Sequence, residues 1–86
     1  MKVAVYETYW VPGARAIAYF GQISAESYSP DFDTAVAETV EALCVQARGC
    51  GANAIVSLRV DCDPFGGQLS VESMGTVVKV MEESTL

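Results

Sequence analysis

Four aspartates are the residues of this sequence best suited to binding a hard cation. They form two pairs, Asp31 with Asp33 at the start of a predicted helix and Asp61 with Asp63 at the end of a predicted strand. A short connection makes that helix and strand antiparallel, so the two pairs would meet at one end of the subunit, where their oxygens could hold Ca²⁺ or Mg²⁺. Helix capping by Asp33 and turn formation by Asp63 explain the same residues without a metal. We favour that explanation and expect no bound metal.

The three cysteines, Cys44, Cys50 and Cys62, could in principle bind a metal as thiolates. Their spacing contains no CxxC motif, and the chain has no histidine to complete a zinc site. Cys44 flanks a predicted buried helix stripe, where a small thiol packs well. Cys50 and Cys62 would lie at opposite ends of one strand, about 30 Å apart at roughly 3.3 Å per residue. The sequence therefore predicts reduced thiols without metal.

Four aromatic residues near the N-terminus could stack a planar ligand at a subunit boundary. They are Tyr6, Tyr9, Trp10 and Tyr19. Packing between subunits requires the same residue types, because aromatic side chains are enriched in protein interfaces. We favour interface packing and predict no cofactor, with these four residues as the candidates if a ligand binds.

The sequence contains few residues that could act as a catalytic base or nucleophile. The chain lacks a histidine base, and Lys2 and Lys79 are its only lysines for a serine–lysine arrangement. The segment Gly49-Cys50-Gly51 precedes a predicted strand instead of following one, so it does not match a phosphate-binding loop. The sequence therefore predicts a protein that is not an enzyme; an enzyme with its site between subunits is the alternative.

The size and charge of the chain limit the classes of partner that we expect it to bind. The chain has 86 residues and a net charge of -6, which repels the phosphates of nucleic acids and anionic lipids. Residues 1–7 are too short for a signal-peptide core, and no apolar run reaches the roughly 18 residues of a membrane span. We therefore expect one cytoplasmic domain over residues 1–86. Its apolar content, 51% of residues, exceeds what so small a core hides and predicts a homo-oligomer.

The first half of the chain predicts a strand followed by a helix. Residues 14–25 alternate with apolar side chains on both parities, which indicates a strand covered on two sides. Residues 29–34 carry helix-start signals, and the helix is expected to stop at Gly49 or Gly51. At 100° per residue one narrow stripe is apolar and predicted to be buried. It comprises Phe32, Val36, Val40, Leu43 and Ala47.

The second half predicts a hairpin. A strand over residues 53–61 is followed by a turn at 62–67 and a third strand. Unbroken alternation along the third strand would bury Lys79. We therefore predict a bulge near Gly75 in that strand, which would turn Val78 inward instead.

Several short motifs, in their order along the chain, resemble a family of small bacterial proteins. They are Pro12-Gly13 with Arg15-Ala16-Ile17, Phe20-Gly21-Gln22-Ile23, the helix end at 47–51, Ala52-Asn53-Ala54-Ile55, and Gly75-Thr76 leading into Val78 and Val80. Each motif is short, and only their order makes the match specific. The chain resembles the YbjQ-like family, often labelled "putative heavy-metal-binding". The resemblance implies a dodecin-like subunit assembled into a ring, typically a pentamer, and no known reaction.

The expected architecture is α+β, with one helix on a three-stranded antiparallel sheet and a short N-terminal arm or strand. The family usually has a longer polar segment between its first strand and the helix than residues 26–33 provide here. The predicted function is a ring-forming structural or binding module of unknown ligand. A protein that binds a small ligand or a metal ion between subunits is the alternative, beside the intersubunit enzyme.

Overall fold

One helix packs on a four-stranded mixed sheet in the computed structural model, which describes residues 2–82. The elements are β1 (Ala4–Val5), β2 (Ala14–Ser29), α1 (Phe32–Gly49), β3 (Ala54–Phe65) and β4 (Gln68–Glu82). The strands lie in the order β1-β3-β4-β2; β2 and β3 both run antiparallel to β4, while β1 is parallel to β3. The described part of the chain contains no helix long and apolar enough to cross a membrane.

The α+β class is as predicted, but the three-stranded antiparallel sheet is wrong. The N-terminal segment adds β1, whose backbone N–H of Ala4 donates to the carbonyl of Asn53 at 3.1 Å. Farther along, Tyr6 donates to the carbonyl of Ile55 at 2.9 Å. A two-residue strand is too short to give a period-2 pattern, so the sequence suggested only an arm or short strand.

The helix begins and ends where its signals predict. Asp31 is the N-cap, and its carboxylate accepts a hydrogen bond from the backbone N–H of Thr34 at 3.1 Å. Asp33 lies in the first turn, where a negative charge is favourable, instead of serving as the cap. At the other end the N–H of Ala52 donates to the carbonyl of Ala47 at 3.0 Å, which satisfies one of the last helical carbonyls.

The buried line of the helix differs in part from the predicted stripe. Leu43 and Ala47 are fully buried as expected, but the side chain of Phe32 is 45% exposed. Ala35 and Thr39 face the sheet instead. Thr39 can do so because its hydroxyl shares a 2.7 Å hydrogen bond with the hydroxyl of buried Ser73 on β4. Apolar periodicity alone could not identify a buried pair of hydroxyls.

A bulge lies beside Gly75, on the neighbouring strand and not in β4 as predicted. Residues 57 and 58 of β3 stand opposite Gly75 alone, and Ser57 adopts a left-handed φ of 57°. Gly75 is required there, because an added Cβ would lie 2.5 Å from Cγ2 of Ile55. β4 itself keeps its alternation: Val77 faces the helix and Val78 is buried on the other face.

The hairpin turn is shorter than predicted. Residues 62–65 belong to β3, and the loop is the pair Gly66-Gly67 with φ of 56° and 81°. Two left-handed residues in succession are typical of the tight turn that joins twisted antiparallel strands. β3 therefore extends four residues beyond its predicted end, to Phe65, whereas β4 begins directly after the predicted turn.

The sheet has a small core on each face. The helix-covered face buries a cluster that includes Leu43, Ile55 and Val77. On the opposite, helix-free face, Val56 and Val78 pack with Val11 of the N-terminal segment. The second core includes only Ala14 of β2, so the prediction of a strand covered on two sides is wrong within one subunit: Ile17, Tyr19 and Phe20 are 46%, 72% and 43% exposed. Two bulges in β2, at residues 17 and 20, interrupt the alternation there.

Candidate ligand-binding site

A cleft of about 150 Å³ opens on the helix-free face. Its floor contains Val56, Val78 and Val80, which continue the core on that face. The remaining lining residues are Tyr9, Trp10, Val11, Ala14, Arg15, Ala16 and Tyr19. We call this site the aromatic cleft. Aliphatic and aromatic walls with a single basic residue are suited to a flat apolar ligand that carries a negative charge.

The N-terminal segment supplies one wall of the aromatic cleft through a folded-back conformation. The backbone N–H of Ser57, in the β3 bulge, donates to the carbonyl of Thr8 at 2.7 Å. The hydroxyl of Thr8 in turn donates to the carbonyl of Trp10 at 2.7 Å. Val11 is then buried in the core beneath, which fixes the aromatic pair above it. The bulge therefore positions this wall.

The aromatic rings of the cleft remain open to solvent. Tyr9 and Trp10 pack edge to face with centroids 4.8 Å apart, yet they are 79% and 51% exposed. Tyr19 projects from β2 opposite Val78 and is 72% exposed. Tyr6 is half-buried and packs against the core below the cleft without lining it. Three of the four predicted aromatic candidates thus converge on one site, although they come from two separate segments.

The aspartate pairs lie in different environments. Asp31 and Asp33 serve the start of the helix. Asp61 and Asp63 line a separate depression of about 290 Å³ that also contains Glu26 and Glu72. Glu72 stands directly opposite Asp61 on one side and Glu26 on the other, across β3, β4 and β2. We call these three residues, Asp61, Glu72 and Glu26, the acidic row.

Sequence reasoning missed Glu26 and Glu72 because their place depends on the hairpin register. With a turn at 66–67 instead of 62–67, Asp61 comes level with Glu72. The phenol of Tyr28 donates to Oε1 of Glu26 at 2.8 Å, and this hydrogen bond to the nearby carboxylate raises the pKa of Tyr28. The acidic row therefore affects the ionisation of Tyr28, which lies near the end of β2.

The thiols do not form a metal centre within one subunit. Cys44 lies on the buried face of the helix, and burial, followed by the charge of Glu41, raises the pKa of its thiol. Cys50 is exposed at the helix C-cap and Cys62 is exposed on β3. Across residues 2–82, no three cysteine or carboxylate side chains are grouped so that they could hold a metal ion. These donors do not fit a heavy-metal site inside one subunit.

Comparisons with known proteins agree with the fold. A family model named YbjQ and described as "Putative heavy-metal-binding" matches residues 13–81. The fold is similar to a crystal structure of a DUF74-family protein with unknown function from Pediococcus pentosaceus ATCC 25745. The TM-score is 0.67 at 16% identity, over 92% of this chain and 98% of that one. That likeness shows the fold alone. No curated protein matches the chain.

Proposed function

We propose that this chain, which belongs to the YbjQ-like family, is the binding subunit of a homo-oligomeric ring and that its ligand is a planar aromatic anion held in the aromatic cleft. The observation that carries the proposal is the convergence of Tyr9, Trp10 and Tyr19 over an aliphatic floor. Stacking on such rings favours flat π-systems of many kinds. Arg15, the one charged residue of the lining, favours an anion.

The size of the aromatic cleft supports a site completed by a second subunit. Ligand pockets usually measure about 300–1,000 Å³ and bury most of the ligand, whereas this cleft measures about 150 Å³ and leaves its rings exposed. A neighbouring copy placed over Tyr9 and Tyr19 would supply the missing wall. It would also cover apolar surface that a small domain cannot bury alone.

A closed ring is the assembly that we expect. Identical chains most often associate with closed symmetry, and the family resemblance implies five subunits. Light scattering coupled to size exclusion should give several times the 9.2 kDa chain mass. A monomer at micromolar concentration would contradict the ring, whereas a closed ring of another size would contradict only the number five.

The two alternative functions have weaker support. The family description suggests a metal, but the described donors of one subunit do not gather around a common point. An enzyme would need a nucleophile or a general base at the cleft, and the lining residues offer only aromatic and aliphatic side chains with one arginine. Binding is therefore the function that the geometry supports best.

Fluorescence titration tests the cleft directly, because Trp10 is the only tryptophan of the chain and lines the site. Flavin mononucleotide and anilinonaphthalene sulfonate are suitable planar anionic probes. We expect saturable quenching of Trp10 and about fivefold weaker binding in Tyr19→Ala, since stacking on one aromatic residue is worth roughly 1 kcal/mol.

Tyr28→Ala is the matched control, because Tyr28 is an exposed tyrosine on the same strand outside the cleft. It should leave the affinity unchanged. Failure of both probes to quench saturably, or equal losses in the two variants, would refute the aromatic cleft as the site. Native mass spectrometry of freshly purified protein would report any retained ligand mass together with the subunit number.

A further inference from the structure

Asn53 lies where the chain leaves the helix and enters the sheet. The backbone N–H of Ala52 is still hydrogen-bonded to the last turn of α1, and β3 begins only at Ala54, opposite Val78 of β4. If the same register continued toward the helix, Ala52 would stand opposite Val80. Within residues 2–82, no backbone group of β3 pairs with Val80. The end of β4 therefore lacks a neighbouring strand on that side.

The side chain of Asn53 takes the place of the missing strand. Its Oδ1 accepts a hydrogen bond from the N–H of Val80 at 2.8 Å, and its Nδ2 donates to the carbonyl of Val80 at 3.0 Å. One acceptor and one donor on a planar amide thus reproduce the two bonds that a residue of a neighbouring antiparallel strand would make. The backbone N–H of Asn53 donates to the carbonyl of Val78 at 3.3 Å, and its carbonyl accepts from the N–H of Ala4 at 3.1 Å. Asn53 therefore ties β4 to β1 at this end of the sheet.

The bonds to Val80 act at the level of the aromatic cleft. Val80 belongs to the floor of the cleft, and its partner on β2, Ala16, also lines the site. Past Val80, the described part of β4 pairs only with β2, as far as Glu82 opposite Ala14. An isolated pair of strands is marginally stable in water. The side chain of Asn53 thus gives this pair a third partner at the point where it forms the cleft.

We infer that Asn53 is a positioning residue of the aromatic cleft. It does not line the cleft and acts through Val80, whose backbone it holds, and through the strand pair that Val80 makes with Ala16. Its carbonyl also anchors β1, which leads into the segment that carries Tyr9 and Trp10. The inference rests on the proposed function of the cleft and names the residue that holds its floor in place.

Two substitutions separate the hydrogen bonds of Asn53 from its packing. Asn53→Ala removes both bonds to Val80, whereas Asn53→Asp keeps nearly the same volume and one acceptor but cannot donate to the carbonyl of Val80. Because the measured affinity falls with the fraction of molecules whose site is formed, we expect flavin mononucleotide to bind about fivefold more weakly to both variants in titrations that follow Trp10 fluorescence. Asn53→Ala adds no charge, so a loss in both variants cannot come from repulsion of the probe. Full affinity in either variant would overturn the inference.

Ser73→Ala is the matched control for a general loss of stability. It removes the hydroxyl that is hydrogen-bonded to Thr39, on the same strand as Val80 but on the helix-covered face. Thr39 keeps its hydrogen bond to the carbonyl of Val36 at 2.9 Å, so its hydroxyl is not left unpaired. We expect this variant to unfold at a lower urea concentration and to bind flavin mononucleotide as tightly as the unmodified protein. Equal affinity losses in Ser73→Ala and the Asn53 variants would show that Asn53 acts only on stability, and would overturn its assignment.

Nuclear magnetic resonance of the unmodified protein tests the inference without a substitution that could prevent folding. The N–H of Val80 should exchange slowly with solvent, and flavin mononucleotide should shift the side-chain amide signals of Asn53, although Asn53 is outside the cleft. The side-chain amide of Gln46, which donates to the carbonyl of Ser24 on β2 at 3.2 Å, should not shift. Binding that leaves the Asn53 signals unchanged would refute the positioning role alone. Absence of binding to the unmodified protein would count against the proposed function itself, and the role of Asn53 would fall with it.

Discussion

The two faces of the sheet differ in what they leave exposed. Between the helix and the sheet, Leu43 and Val71 have no solvent-exposed surface, and the buried hydroxyls of Thr39 and Ser73 are hydrogen-bonded to each other. On the helix-free face the core lies only beneath the N-terminal segment, and the rest carries the aromatic cleft and the acidic row. The larger core thus lies on one face, while the other face keeps aromatic and acidic side chains exposed.

Placing a charge on each face would test this contrast most severely. Leu43→Asp should lower the free energy of unfolding by at least about 3 kcal/mol, because it removes buried apolar surface and buries an unpaired carboxylate. Tyr19→Asp on the helix-free face should cost the dissociated subunit at most about 1 kcal/mol, since Tyr19 is largely exposed within one chain. Urea unfolding of the two variants provides the comparison.

Glu41→Gln on the outer surface of the helix serves as the matched control for Leu43→Asp. Glu41 makes a solvent-exposed ion pair with Arg48 at 3.5 Å, which contributes little to stability. Its loss should change the unfolding free energy by less than about 0.5 kcal/mol. Similar losses for Leu43→Asp and Glu41→Gln would show that the helix is packed in a different phase.

The β3 bulge at residues 57 and 58 should show the next largest effect of substitution, because it stands opposite Gly75 and holds the N-terminal segment in place. Gly75→Ala forces a methyl group against Ile55 and the β3 bulge, which should cost roughly 1–3 kcal/mol in thermal or urea unfolding. Because the bulge also holds the wall of the aromatic cleft, we expect weaker binding of a planar probe in this variant.

Gly49→Ala is the control for that substitution. Gly49 ends the helix, and nothing lies within 4 Å of an added Cβ. Alanine should be neutral or slightly stabilising there. If Gly75→Ala were as well tolerated as Gly49→Ala, the close packing of β3 against β4 would be wrong.

The smallest expected effect concerns the acidic row. Glu72 stands between two other carboxylates on adjacent strands, and like charges directly opposite each other are destabilising. Glu72→Gln should therefore stabilise the subunit by about 0.2–1 kcal/mol, and added salt should reduce the difference. A destabilised Glu72→Gln variant at low salt would contradict the observed strand register.

The features predicted correctly from sequence were those with local physical causes. The helix ends follow from capping and turn residues, and the burial of Cys44 follows from its place beside an apolar stripe. The errors came from non-local causes. Periodicity could not detect β1, and it assigned the bulge to the strand that contains Gly75 because the alternation of a single strand does not reveal its partner.

For the candidate site, too, the sequence predicted what has a local cause and missed what depends on contacts between distant segments. The aromatic residue types suggested stacking, but only the bulge contacts of Thr8 with Ser57 bring the N-terminal segment beside Tyr19. Likewise, Asp61 and Asp63 were recognised as candidates, but Glu72, the cross-strand neighbour of Asp61, was not. That pairing depends on the two-residue turn at 66–67, whereas the pattern of alternation predicted a turn that begins at residue 62.

The position of the acidic row on the same face as the aromatic cleft has a kinetic consequence. In a chain of net charge -6, these carboxylates create a repulsive field for an approaching anion. The Debye length shortens to roughly 10 Å at 0.1 M salt, so moderate ionic strength would weaken that field before it affects contacts within the cleft. An anionic ligand should consequently associate faster as salt is added, whereas a neutral analogue of the same shape should associate at a rate that hardly depends on salt.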